Sequence, residues 1–519
     1  MLLKRKSSFG RNWVRFVALA GAAIALSPLA SAQSNSADID RLTKQLQDMQ
    51  RQIDSLREAE RTAAAKPAPV ATVSASSTAP APATGKYDGL QAGPLNIKFG
   101  GFMEFAGIYR NKNEASDVGS NFSAIPYGNA PGHYLNEFRE TARQSRLSIL
   151  VSGPDDGHQR AEGYYEMDFL GAAQSANSKE SNSYNPRIRN IYGAYYNTDS
   201  GFSILAGQNW SLLTQEKKGM TPRNELVPMT IDAQYVPGFN WTRNAQLRAV
   251  ERFNDMVSIG LSLESPQALF SGKAPAGVIS TLTGGGQYNN ANSYSFDSAP
   301  DVIAKISFDP GWGHYEVFGL NRWFKDRSVG SATVTGANHT QSGASVGGSV
   351  LLPLVPKLLE FQASALGGKG AGRYGSAQLP DATFDARGNV QTIKETTLLA
   401  GVLGHPTSDL DLYFYVGQEK VDARYNAVAT GGYVGYGIPT IDLSGCAAEG
   451  GTCAPNTGKV SQATLGGWWK VYRGSVGYLQ VGLQASMTKQ QALPGLAGVQ
   501  PDAKMTVGMV SIRYYPYQN

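Results

Sequence analysis

Residues 301–310 read DVIAKISFDP, and their side chains alternate between two faces. The even-numbered positions from Val302 to Phe308 are apolar, whereas the opposite face carries Lys305 and Ser307. A period of two is typical of a β-strand, because successive side chains of an extended chain point to opposite sides. The closing Asp-Pro pair indicates a turn. The stretch therefore predicts one strand of a sheet with an apolar face.

Runs of the same kind recur from residue 95 to residue 519, separated by turn residues, and predict an all-β domain. A secreted β-sandwich or β-helix would also alternate. However, the chain contains 59 Gly and 25 Tyr, and aromatic residues gather near the ends of runs, as in GGWWKVYRG at 466–474 and IRYYPY at 512–517. Aromatic girdles of this kind are typical of a membrane barrel. We therefore predict a transmembrane antiparallel β-barrel, with its last strand ending near Tyr515.

The connections between the runs fall into two classes. Short turns are predicted at 153–157, 199–201, 309–313 and 473–475, and long inserts at 111–140, 171–186, 268–300, 325–342, 369–394 and 421–459. Short turns on one rim and long loops on the other are the asymmetry of outer-membrane barrels. One strand together with half of each flanking loop takes roughly 25–27 residues, so the domain should contain about 16 strands. A barrel of that size encloses a water-filled lumen.

The first 32 residues have the pattern of a secretory signal peptide. An apolar core, FVALAGAAIALSPLA, precedes the small-residue motif ASA at 30–32, and Pro28 disfavours the alternative of a membrane anchor. After it, no apolar run is long enough for a transmembrane helix. Removing five basic residues of the leader leaves 41 Lys and Arg against 41 Asp and Glu, so the charge gives no reason to expect nucleic-acid binding. The five are Lys4, Arg5, Lys6, Arg11 and Arg15.

Two further segments precede the barrel. Residues 38–61 carry apolar residues at alternating steps of three and four, which predicts a short coiled-coil helix on the periplasmic side. Its seam would consist of Ile39, Leu42, Leu46, Met49, Ile53 and Leu56. Residues 62–94 are rich in Ala, Pro, Ser and Thr and predict an extended linker. Ile and Leu at these seam positions favour a dimer, although three turns alone are too short to be stable.

Basic residues on the polar faces of the predicted strands are candidates for lining the lumen. Planar guanidinium groups from several strands would attract anions and could bind a carboxylate in bidentate fashion. The alternative for each residue is a pairing with a nearby carboxylate or an interfacial charge. The candidates are Arg143, Arg146, Arg187, Arg189, Arg243, Arg248, Lys305 and Arg322.

The sequence gives little support for catalysis, and we nominate no catalytic residue, metal ligand or cofactor. The five histidines lack zinc-site spacing, and no G-x-S-x-G nucleophile turn occurs. Cys446 and Cys453 flank a Gly-Gly turn and predict a small disulfide loop, with two free thiols as the alternative.

The order of signal, heptad helix, Pro/Ala-rich linker and large barrel resembles the DcaP-like family of trimeric outer-membrane porins. The resembling pieces are ARQSRLSI, RIRNIYGAYY, AGQNWSLLT and PDVIAKISFDPGWGHYEVFGLNRWF, which cover the N-terminal half of the barrel. The resemblance implies a 16-stranded homotrimer that takes up small anions, notably dicarboxylates, through an Arg/Lys-lined constriction. It points first to Arg146, Arg187, Arg189 and Lys305. The loops 268–300 and 421–459 have no counterpart in it.

The leading hypothesis is thus a non-enzymatic porin in the outer membrane, in contact with membrane lipid and open to small anionic solutes. One alternative is a phosphate-selective porin, which the scattered arginines and few lysines fit less well. The other is a structural tether, in which the N-terminal helix contacts peptidoglycan and the barrel only anchors the chain.

Overall fold

A computed structural model describes residues 89–171, 184–285, 289–332, 335–429 and 431–517, together with Lys44, Gln47 and Arg51. Those three residues are helical and exposed, and they occupy positions of the predicted heptad outside its seam. The predicted signal peptide and all six seam residues lie outside the described residues. No helix found among the described residues is both long and apolar enough to cross a membrane.

Sixteen long antiparallel strands make up the main sheet of the described residues. In chain order they are β1 (Leu95–Arg110), β2 (Glu137–Thr141 and Arg146–Ser152), β3 (Gln159–Gly171), β4 (Asn185–Asn197), β5 (Phe202–Trp210), β6 (Arg243–Arg252), β7 (Val257–Glu264), β8 (Asp301–Phe308), β9 (His314–Ser328), β10 (Ala337–Val355), β11 (Leu359–Lys369), β12 (Lys394–Thr407), β13 (Leu410–Val421), β14 (Thr457–Gly474), β15 (Gly477–Ala492) and β16 (Asp502–Tyr515).

The sheet closes on itself. Each strand pairs with its neighbours in sequence, and β16 returns to β1, where Phe105 lies opposite Ile512. The break in β2 at residues 142–145 falls where its pairing with β1 shifts. The predicted fold class, an antiparallel barrel of about 16 strands, is confirmed, and the last strand ends at Tyr515 as predicted.

The outer surface of the barrel is apolar. On β8 the side chain of Lys305 is buried, at 1% exposure, whereas the adjacent Ile306 is 51% exposed, so the predicted faces are correct. Exposed outward residues on other strands are equally apolar, among them Val317, Leu465 and Leu483. Such a band faces lipid in a transmembrane barrel.

The two rims differ as predicted. At one rim the turns are short, spanning two to six residues, as at 198–201 and 309–313. The other rim carries the long loops, including 111–136, 265–300, 370–393 and 422–456. One predicted insert, 325–342, is shorter than expected, because polar but alternating residues extend β9 to Ser328 and start β10 at Ala337.

Residues 211–242, between β5 and β6, form a long loop that the sequence analysis did not identify. The loop folds into the lumen, where Leu212, Ile231 and Phe239 are buried. Its backbone is held by the far wall, since the Ile231 amide donates to Gln484 Oε1 at 2.7 Å. We call residues 211–242 the lumen loop.

Several loops contain small elements of their own. Leu90–Ala92, within the predicted linker, pairs with the start of β1, and Val278–Ile279 pairs with the end of β9. Further two-stranded pairs and single 3-10 turns lie in the long loops. They are Thr281–Thr283 with Ser293–Ser295, Ala382–Phe384 with Val390–Thr392, Arg424–Ala427 with Tyr433–Tyr436, and the turns Pro131–His133, Gly372–Tyr374, Ser444–Ala447 and Leu496–Gly498.

Candidate solute-binding site

The lumen loop carries an aromatic cluster to the interior of the barrel. Tyr235, which is 4% exposed, has a φ of 69°, a left-handed conformation that is costly for a non-glycine residue. Its ring lies 5.3 Å from that of Trp241, which in turn lies 5.7 Å from that of Trp210. The cluster thus joins the end of β5, the loop and the start of β6.

Arg243, at the start of β6, lies against both tryptophans. Its guanidinium carbon is 5.1 Å from the ring centre of Trp210 and 5.3 Å from that of Trp241. Such cation–π contacts fix the plane of the guanidinium without neutralising its charge. Its Nη1 is buried and has no hydrogen-bond acceptor within the protein, and in the described part of the chain Arg243 forms no salt bridge.

Arg187 and Arg189, two residues apart on β4, both bind Asp168 of β3. Arg187 does so in bidentate fashion, at 3.0 and 2.7 Å, and Nη1 of Arg189 lies 3.0 Å from Asp168 Oδ2. Arg189 also pairs with Glu166. A second amino group of Arg189, Nη2, is buried without an acceptor. Arg187 and Arg189 therefore project to the same side of β4, toward Asp168.

Arg146 of β2 approaches the same cluster from the other side. Its guanidinium carbon lies 5.2 Å from the ring centre of Phe102, its Nε has no acceptor, and no salt bridge involves it among the described residues. Arg146, Arg187, Arg189 and Arg243 therefore face two carboxylates, those of Glu166 and Asp168. We call these four arginines with Tyr235 the arginine cluster. Its four positive charges exceed the two carboxylates by two.

The charge of the cluster acts on Tyr235. Burial alone would raise the pKa of this phenol, but Arg189, Arg146 and Arg243 outweigh burial and place its pKa below the usual value. A phenol responds in this way when positive charge surrounds it in a poorly hydrated site. The same field would stabilise a carboxylate that entered the lumen.

Two other predicted residues lie beside the cluster but are engaged elsewhere. Arg143 pairs with Asp117 of the first long loop and stacks on Tyr184 at 3.5 Å. Arg248 is buried and donates to Gln246 Oε1 at 2.9 Å and to the carbonyl of Trp210, while its Nη1 has no acceptor.

Lys305 and Arg322 belong to separate buried networks. Lys305 Nζ lies 2.9 Å from Glu316 Oε1 and 2.7 Å from the carbonyl of Thr214. Arg322 pairs with Asp301 and Asp381 at 3.0 and 2.7 Å. These contacts attach the lumen loop and the loop 370–393 to the wall, so neither cation joins the arginine cluster.

The sequence analysis missed the aromatic and acidic partners of the arginines. Tyr235, Trp210, Trp241, Glu166 and Asp168 were not nominated. The sequence did contain a signal for the lumen loop. The stretch between Trp210 and Trp241 contains Pro222, Pro228 and Pro237 and does not alternate, which argues against a strand.

Polar cavities lie at both ends of the barrel. The cavity at the short-turn rim measures about 900 Å³ and is lined by Asp199, Arg252 and Lys218 at the tip of the lumen loop, among others. The cavity at the long-loop rim measures about 640 Å³ and includes Ser123 and Asn456 in its lining. The arginine cluster belongs to the wall and the loop between these rims.

Cys446 and Cys453 form a disulfide in the loop 422–456, and Cys446 is buried. The disulfide segment packs on the first long loop, where Asn129 Nδ2 donates to the carbonyl of Gly451 at 3.2 Å. Over the described ranges of the chain, no group of three or more His, Cys, Asp or Glu residues could hold a metal ion.

Comparison with solved structures identifies the fold. The crystal structure of the outer membrane channel DcaP of Acinetobacter baumannii matches 82% of this chain and 99% of that chain, with a TM-score of 0.58 and 16% sequence identity. The anion-selective porin from Comamonas acidovorans matches 81% of this chain and 99% of its own, with a TM-score of 0.43 and 11% identity. No protein-family model and no curated protein matches. The resemblance noted from the sequence is thus confirmed for the fold.

Proposed function

We propose that this chain is an outer-membrane porin whose lumen admits small anionic solutes, dicarboxylates in particular. The observation that carries the proposal is the arginine cluster, in which Arg146 and Arg243 lie inside a lipid-facing barrel with buried N–H groups that no protein atom accepts. Buried donors of this kind are normally paired, so these groups are suited to an incoming acceptor.

The fold supports a channel. A closed barrel of 16 strands is wider than its side chains can fill, and only its lumen can carry polar solutes past the apolar outer face. The lumen loop narrows this space and brings Tyr235 to the wall that carries the arginines. The solved channel with the same fold is described as an outer membrane channel.

The geometry favours carboxylates over inorganic phosphate. A guanidinium group binds a carboxylate or a phosphate in bidentate fashion, so the preference rests on the tryptophan faces beside Arg243. These faces suit the apolar linker between two carboxylates, which inorganic phosphate lacks. Lys305, the one lysine nominated for the lumen, is fully engaged by Glu316 and Thr214.

Reversal potentials in planar bilayers under a salt gradient test the proposal. The wild type should form stepwise channels that favour anions, and R146Q/R243Q should shift the reversal potential toward cations while unit conductance persists. The matched control is R327Q/R473Q, which removes two arginines outside the lumen. An absence of conductance would refute the porin, and an unshifted reversal potential would remove these arginines from the conduction path.

Solute identity follows from channel block. Succinate and longer dicarboxylates should reduce the wild-type current at lower concentrations than phosphate, and R146Q/R243Q should abolish the difference. Stronger block by phosphate would favour the phosphate-selective alternative.

We further propose a homotrimer with its N-terminal helix in the periplasm. The apolar outer face and the predicted heptad are suited to self-association, and barrels held together would supply the effective concentration that a short coiled coil needs. Native mass spectrometry of the full chain gives the copy number directly.

A further inference from the structure

Six consecutive strands, β11 to β16, each place one lysine on the outer face close to the long-loop rim. They are Lys369, Lys394, Lys420, Lys459, Lys489 and Lys504. All six share the outward face with apolar or small residues, as Lys394 does with Leu398 and Lys489 does with Met487. We call this set the lysine belt.

The strand register places the belt lysines in three directly opposed pairs. Lys369 faces Lys394, Lys420 faces Lys459, and Lys489 faces Lys504. Like charges directly opposite on one face of a sheet are destabilising. An arrangement repeated three times along one rim indicates that an anionic partner offsets the repulsion.

Carboxylates of the protein neutralise only part of the belt. Asp422 lies 3.9 Å from Lys394 and 3.7 Å from Lys420, and Asp502 lies 2.9 Å from Lys489. Lys369, Lys459 and Lys504 form no salt bridge with any residue that the structure describes. Six ammonium groups against two carboxylates leave an excess of four positive charges.

The belt covers only one side of the barrel, although β9, two strands away from β11, also carries Lys325 and Arg327 on its outward face. At the same rim of β1, β2, β4 and β7, the outward side chains are Tyr109, Phe138, Ile188 and Leu263, all exposed. A general need for positive charge at the membrane surface would not select six neighbouring strands. The asymmetry points to a local binding face.

An apolar groove descends from the belt. It measures about 1060 Å³ and follows one row of cross-strand neighbours, from Val317 through Gly348, Ala365 and Ser461 to Lys489 and Lys504. The small side chains at Gly348, Ala365 and Ser461 leave the depression. Its upper end therefore meets the Lys489–Lys504 pair, and its lower end lies on the apolar outer band.

We propose that the outer face of β11–β16 binds a phosphorylated lipid of the outer leaflet, with its phosphates on the lysine belt and one acyl chain in the groove. Closely spaced ammonium groups suit a phosphate monoester, which carries up to two negative charges and three acceptor oxygens. The inference rests on the proposed location in the outer membrane, since only there does this rim meet that leaflet.

The test is native mass spectrometry of the full chain in detergent, titrated with bisphosphorylated lipid A or its dephosphorylated form. The wild type should bind the phosphorylated lipid at least about tenfold more tightly. K489Q/K504Q should weaken its binding by roughly 25-fold, since each lysine near a lipid surface contributes about fivefold. The control K98Q/K357Q removes two lysines at the opposite rim and should bind like the wild type. A365W, which fills the groove, should weaken binding of both lipids.

The proposal would be overturned if the wild type bound the phosphorylated and dephosphorylated lipids equally. It would also be overturned if K489Q/K504Q and K98Q/K357Q lost the same amount of lipid affinity. Conductance measured on the same preparations separates this result from the proposed function. Channels that conduct normally with phosphate-independent lipid binding would refute the lipid site alone. Phosphate-dependent binding by a protein that forms no channel would refute the porin and leave the lipid site in place.

Discussion

Nζ of Lys305 on β8 lies 2.9 Å from Oε1 of Glu316 on β9, and both side chains are completely buried. Nζ also donates to the carbonyl of Thr214 in the lumen loop, at 2.7 Å. The pair therefore joins two wall strands to the loop that narrows the barrel. Because the Lys305 ammonium group is already engaged by a carboxylate and a carbonyl, it stabilises the lumen loop and is not available to bind a solute.

Lys305→Met should lower the free energy of unfolding by roughly 3–5 kcal/mol, because it removes the ammonium group that pairs with the buried carboxylate of Glu316 and leaves His314 as its remaining ion-pair partner. Urea unfolding in detergent, followed by tryptophan fluorescence, measures the change. Adding Glu316→Gln should restore part of the stability, since the buried negative charge is gone. Wild-type stability combined with lost anion preference would instead assign Lys305 to the conduction path.

Tyr235 should make anion preference depend on pH. Its pKa lies below the usual value, so the phenol ionises as the pH rises through that lowered pKa, and the phenolate then neutralises part of the arginine cluster. A guanidinium group does not lose its proton in the pH range of this experiment. Anion selectivity, read from reversal potentials between pH 7 and pH 10, should therefore fall as the pH rises, and Tyr235→Phe should abolish the fall. A pH dependence that persists in the variant would place the titrating group elsewhere.

Glu216 should limit the stability of the lumen loop at high pH. It is fully buried, both carboxylate oxygens lack hydrogen-bond partners, and burial followed by repulsion from Glu225 holds its pKa well above the usual range. The folded state therefore favours the protonated acid, and stability falls as the pH rises above the ordinary glutamate value toward the raised pKa. Glu216→Gln should flatten this decline and exceed the wild type in melting temperature at pH 8. Parallel melting curves for the two proteins would contradict the assignment.

Deleting residues 37–60 should leave unit conductance and ion selectivity unchanged, because the arginine cluster and the lumen loop lie wholly within the barrel. Single-channel recordings of the deletion variant beside the full chain provide the measurement. Loss of the channel would mean that the helix takes part in forming the pore.

Alternation made the wall predictable from the sequence. Lys305 and Ile306, adjacent in the chain, point to opposite sides as the pattern predicts, because one face meets lipid. The inner face was harder to recognise. On β13 the buried Tyr413 and Tyr415 alternate with the exposed Leu412 and Phe414, so both faces are apolar. The inner pair is apolar because the lumen loop packs against it, and that contact has no local signature.

The site was predictable only in part for the same reason. Guanidinium groups on polar faces could be nominated, but the sequence did not separate Arg322, which Asp301 and Asp381 engage, from Arg243, which has no carboxylate partner. That difference depends on which residues a distant loop brings close. The lumen loop also contains apolar residues, so it lacks the polar composition by which the other long loops are predicted.

The attachments of the lumen loop have a consequence for the order in which the barrel forms. The loop leaves the wall after β5, yet Trp468 on β14 donates to the carbonyl of Met229, and Gln484 on β15 accepts from Ile231. These partners are separated by 239 and 253 residues. Contacts between residues so far apart in the sequence form late in folding, after the intervening strands have paired. The narrowing of the lumen thus depends on closure of the barrel, because a barrel without its last three strands would lack both of these attachments of the lumen loop.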